Sequence, residues 1–154
     1  MTYPENNNIE RFISSEEPEA VLEPDLPIID PHHHLWDNRV ATSIFEQTVY
    51  LCEEIMADIN ESGHNITQTV FAQCGAFFRA DGPKDMRCVG ETEFVQGIAA
   101  MSRSGIYGST RLCTGIFGSA DLRAGAGVEP VLEAHLAASA NFRGIRTAFP
   151  SDLN

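Results

Sequence analysis

Apolar and polar positions change period along this chain, and the changes come in a repeating order. Residues 26–30 (LPIID) form a short apolar run of the kind a buried strand shows. Residues 50–61 then set Leu51, Ile55 and Ile59 four apart beside Cys52 and Met56, with Glu53, Glu54, Asp58 and Glu61 on the other face. That pattern predicts an amphipathic helix stopped at Gly63. Residues 69–74 (TVFAQC) predict a second strand ended by Gly75, and 91–104 a second helix with Phe94, Ile98 and Met101 on one stripe and Gly105 as its stop. Residues 111–117 (RLCTGIF) read as a third strand. Pro130 sits in the first turn of a third helix running to about Ser139, with Val128, Val131, Leu132 and Leu136 apolar, and 142–146 (FRGIR) is a fourth strand.

Strands alternating with helices are the signature of an α/β fold with a parallel sheet. The strand starts near 27, 69, 111 and 142 are 42, 42 and 31 residues apart, so four units fill 27–154. An eight-unit barrel needs about 250 residues, roughly twice that span. The chain therefore reads as the N-terminal half of a (β/α)8 TIM barrel, about four parallel strands with intervening helices. A complete doubly wound sheet is the rival, but it usually carries a Gly-rich phosphate loop after its first strand, where this chain has three histidines. That absence also disfavours a nucleotide- or flavin-binding module.

Composition narrows the partners. Asp plus Glu is 22 and Lys plus Arg is 10, a net charge of −12. With no basic cluster, the chain lacks the electrostatic footprint of a nucleic-acid or anionic-membrane binder. No apolar run approaches the roughly 18 residues of a membrane span, and the N-terminus is neither cationic nor apolar as a signal peptide is. The expected compartment is the cytoplasm, where Cys52, Cys74, Cys88 and Cys113, none spaced as CxxC, are reduced and mostly buried. Residues 1–25 hold seven acids against Arg11 and three consecutive Asn, and read as a disordered acidic arm before a domain spanning 26–154.

The sharpest local feature is Asp30-Pro31-His32-His33-His34-Leu35-Trp36-Asp37. In an extended segment His32 and His34 point to one face and His33 to the other. Two imidazoles on one face at a strand end can present nitrogens to one metal ion or one oxyanion; a chance polar cluster capping the strand is the plain alternative.

The segment IIDPHHHLWD resembles the opening strand of the amidohydrolase superfamily, in its metal-dependent-hydrolase branch of L-fuconolactonase-like and pyrone-dicarboxylate-lactonase-like enzymes. The stretches 70–83 (VFAQCGAFFRADGP), 90–108, 120–135 and 142–146 are similar to that branch in order and spacing. The resemblance implies a distorted TIM barrel whose site lies at the C-terminal strand ends, and hydrolysis of a small lactone, ester or amide by activated water. It assigns His32 and His34 as the first-strand pair, which ligates a divalent metal such as zinc or, in lactonase members, lines the substrate pocket. Arg146 would clamp a substrate carboxylate. Gln73, at the end of the second strand where relatives often carry Glu, would hydrogen-bond substrate, and Thr147 stands where they commonly place His. Arg79 and Asp81, in the loop after the second strand, are further substrate-contact candidates, with a turn on Asp81-Gly82-Pro83 as the alternative.

The resemblance puts the catalytic Asp on the last strand of a full barrel, beyond Asn154, so these residues alone are expected to be inactive. Unpaired edges and one open sheet face would then favour a homo-oligomer, and a non-catalytic half-barrel that self-associates or binds a small ligand is the second functional expectation. Glu91 and Glu93 read as first-turn acids complementing a helix dipole, His135 as a packed helix histidine, Asp121 as a loop cap and His64 as a turn residue. Trp36, Phe77 and Phe78 either wall a ring-shaped substrate or pack.

Overall fold

The computed structural model describes residues 20–38 and 48–147. Most of the expected acidic arm lies outside the described residues. The elements run β1 (Ile28–His33), α1 (Cys52–Glu61), β2 (Ile66–Ala72), α2 (Val89–Arg103), β3 (Arg111–Gly118), α3 (Glu129–Ala138) and β4 (Phe142–Ile145), with short 3-10 turns at Lys84–Met86 and Leu122–Val128. The four strands form one sheet in the order β1-β2-β3-β4, every neighbour parallel. Parallel neighbours require a crossover, and among the described residues each crossover here contains one α-helix. The α/β expectation holds, with the strand order unreversed from one edge to the other. No helix among the described residues is long and apolar enough to cross a membrane.

All three helices cover one face of the sheet. Leu112 and Ile116 of β3 and Phe71 of β2 pack with Cys52, Ile55, Met56 and Ile59 of α1 and Val95, Ile98 and Ala99 of α2. Gly118 of β3 abuts α3, because a Cβ there would lie 2.9 Å from His135 Cε1. His135 is fully buried, as expected: its ring stacks on Phe142, Nε2–H donates to the Ser119 carbonyl at 2.9 Å, and Nδ1 accepts from Thr92 Oγ1 at 2.8 Å. His135 takes the inner position of α3, so Leu136, read as part of that stripe, is 61% exposed; Met101, in the last turn of α2, is also largely exposed. The four cysteines are free thiols, three of them buried. The opposite face, with Ile29, Val70, Gly115, Phe117 and Arg143, carries no helix among the described residues.

The strands differ from expectation at their ends. β1 runs on through Pro31 to His33, so His32 and His33 belong to the strand and His34 directly follows it. In β3, Gln68 pairs with Arg111 and Val70 with Gly115, so four positions of β3 face two of β2. Cys113 sits in this bulge with φ 55, held by its N–H donating to Thr69 Oγ1 at 3.0 Å, while Thr114 Oγ1 donates to the Thr69 carbonyl at 3.2 Å.

Gly90 shows how tightly the loop after β2 packs on α2. A Cβ at Gly90 would lie 2.7 Å from both the Arg79 nitrogen and the Phe77 oxygen, backbone atoms that cannot swing aside. Gly90→Ala is expected to destabilise the protein by about 1–3 kcal/mol, read as a fall of several degrees in Tm. An unchanged Tm would show that this loop does not lie against the helix.

Candidate functional site

The C-terminal ends of β1, β2 and β4 bring three distant residues together. His33 turns toward the helices and is 8% exposed, against Phe71. Its Nε2 lies 2.9 Å from Thr69 Oγ1, whose oxygen already accepts the Cys113 amide, so the hydroxyl proton is free to go to His33. Burial of His33 lowers its pKa from 6.5 to about 4, which keeps the ring neutral at physiological pH.

His32 and His34 face the other way, as alternation requires, with Nε2 atoms 3.3 Å apart and rings edge-on. His34 Nδ1 donates to the Ala72 carbonyl at 2.7 Å, which leaves the lone pair of the neutral ring on Nε2. Arg146 Nη1 donates to His32 Nε2 at 3.0 Å, so His32 also carries its lone pair there. The His32 and His34 Nε2 atoms thus meet within hydrogen-bond distance at the rim. Arg146 is fixed at further points: Nη2 donates to the Gln73 carbonyl at 2.7 Å, its main-chain N–H to Gly118 at 2.9 Å, and its own carbonyl accepts from Gln73 Nε2 at 3.2 Å. The ion pairs among the described residues are Arg79–Glu93 and Arg123–Asp121, and neither involves Arg146.

A 3.3 Å separation suits two nitrogens bound to one tetrahedral zinc, since two bonds of about 2.05 Å at that angle span about 3.35 Å. The rest of the set does not fit a complete metal centre: among the described residues no three His, Cys, Asp or Glu side chains converge. The Arg146 guanidinium, bonded to His32, adds positive charge where a dication would need negative charge. An anionic or carbonyl oxygen meets complementary charge at the same place.

The remaining candidates are placed elsewhere. Arg79 is not brought to this cluster; its guanidinium pairs with the exposed Glu93. Asp81 is exposed in the turn before Pro83. Thr147 donates to the Ala120 carbonyl at 2.9 Å. Asp121 caps the turn at Leu122–Val128 by accepting the Arg123 amide. His64 is an exposed turn residue. Trp36 is buried and stacked on Tyr50, whereas Phe77, at φ 56 and stacked on Phe94, is 40% exposed beside a cleft of about 290 Å³ that Trp36, Asn38, Cys74 and Gly75 also line.

Glu91 is the residue that sequence reasoning assigned too small a part. It has no exposed surface, and its Oε1 accepts the amides of Cys74 at 3.0 Å and Ala76 at 2.9 Å. The carboxylate thereby replaces the strand partner that β2 lacks after Gln73. Nothing in its spacing separates it from an ordinary first-turn acid. Compared with family models, curated proteins and solved structures, the chain matches none.

Proposed function

We propose that this chain forms the first four strands of a (β/α)8-type hydrolase of the amidohydrolase kind, and that His32, His34 and Arg146 hold a small lactone, ester or amide at its C-terminal rim. The observation that carries the reading is the convergence of Arg146 on His32 and Gln73 from 114 and 73 residues away. Substrates of such barrels bind at these strand ends. The unreversed strand order supports the reading too, because a doubly wound sheet reverses at its switch point.

In this reading Arg146 draws the negative charge of a substrate carboxylate or of a carbonyl oxygen under attack. His34, steadied through Nδ1 by Ala72, offers Nε2 to take a proton from water or a hydroxyl. Gln73 holds Arg146 in place rather than contacting substrate itself. Arg79, paired with Glu93, has no part in this step.

One observation favours a second reading, a non-catalytic binder of small anions: the cluster joins two imidazoles to a guanidinium that has no carboxylate partner among the described residues. The test is a panel of small carboxylates, lactones, esters, amides and zinc, titrated while the His32 and His34 ring nitrogens are followed by NMR and product is assayed. Ring shifts with the lactones, esters or amides, with or without turnover, support the hydrolase; ring shifts with simple carboxylates alone support the binder. No ring response to any member would remove both.

A further inference from the structure

We infer that Glu91 is a positioning residue that aims Arg146 at His32 through a single peptide group. The Cys74 N–H and the Gln73 C=O belong to the same planar peptide and point in opposite directions. Glu91 Oε1 takes the N–H end at 3.0 Å, and Arg146 Nη2 takes the C=O end at 2.7 Å. A carboxyl oxygen and a cation therefore sit at the ends of one peptide dipole that suit them, and each bond strengthens the other. Rotating the peptide breaks both bonds together.

The surroundings leave this peptide little freedom. Gln73 N–H donates to the Phe117 carbonyl at 2.9 Å, and Gly75, at φ 82, turns the chain so that the Ala76 amide reaches the same Glu91 oxygen. Gln73 Nε2 returns to the Arg146 carbonyl, so side chain and main chain of one residue grip both ends of Arg146. Glu91 is fully buried at the third residue of α2, where the helix N-terminus favours its charge. Burial pushes its carboxyl up, the two amides act against that, and its Oε2 has no protein partner. A loop brace alone could be made by a neutral side chain; a buried carboxylate adds orientation of a dipole toward a cation.

The inference deepens the reading above and rests on it for the importance of Arg146, but its test needs no ligand, so the two can fail separately. Glu91→Ala and Glu91→Gln would be prepared in the full chain, with Glu93→Gln as control. In Glu91→Ala, exchange of the Cys74 and Ala76 amides is expected to quicken about tenfold or more, and the His32 Nε2 resonance to move to that of a ring accepting no bond. Glu91→Gln, which keeps an acceptor oxygen, should restore part of both signals, and Glu93→Gln should move neither. Loosened amides with an unmoved His32 resonance would show that Glu91 only braces the loop.

A reciprocal measurement decides the matter even if the Glu91 variants fail to fold. Arg146→Gln should quicken exchange at Cys74 more than at Ala76, because only the Cys74 amide shares a peptide with the carbonyl that Arg146 holds. Equal or absent responses at the two amides would overturn the inference.

Discussion

Arg146→Gln is expected to weaken binding of a small carboxylate or lactone about ten- to hundredfold, since a hydrogen bond to a charged group contributes about 1.5–3 kcal/mol. The guanidinium is exposed at the rim and its charge is not spent on any carboxylate among the described residues. Arg146→Lys keeps the charge and loses the fork that reaches His32 and Gln73 together, so it should recover only part of the affinity. In a full barrel built on these strands, His34→Ala is expected to lower turnover by a factor of about 10² to 10⁴, the usual contribution of one proton-transfer group, with binding reduced less. Calorimetric titration and initial rates read these two effects apart. Unaltered affinity in Arg146→Gln, with the far-UV spectrum intact, would take the rim cluster out of ligand binding.

The second large effect is loss of stability in acid. The His33 pKa lies near 4 in the fold because the ring is buried, against 6.5 when the chain is open. The unfolded chain thus takes up a proton that the folded one refuses. Stability from this group is complete above about pH 6.5 and declines as pH falls through 4, by about 2.5 kcal/mol at pH 4.5. Urea unfolding of chelator-treated protein at pH 7.5 and 4.5 should show the wild type losing that much more than His33→Gln. Carboxylates and His135 titrate in both proteins and cancel in the difference. Parallel losses in the two would mean that His33 is solvated in the native state.

Periodicity made most of the fold readable. The helix expected over 50–61 is found at Cys52–Glu61, and the four strands follow in the expected order, because each buries one clear apolar stripe. The end of β1 was less readable: Pro31 and three histidines do not look like a strand, yet pairing with β2 through Phe71 carries it to His33. Alternation alone predicts that His32 and His34 share a face. Their meeting with Arg146 depends on β4 ending at the same rim, which no local pattern encodes. Glu91 was unreadable for a related reason, since its partners lie 15 and 17 residues back along the chain and reach it only once the loop folds onto α2. The bulge at Cys113 has no local signal either: cysteine has no bias toward a left-handed backbone, and the conformation is imposed by Thr69.

That bulge also constrains how β3 can change in length. It inserts an even number of residues, two, so Arg111 before it and Gly115 and Phe117 after it keep the same phase. A deletion of one residue between them would exchange inward and outward sides for the rest of the strand, bringing Phe117 under α3 and sending Ile116 to the open face. A deletion of two would leave the phase untouched. Viable insertions and deletions at this point should therefore come in pairs, and a frame of two is the unit in which β3 can drift.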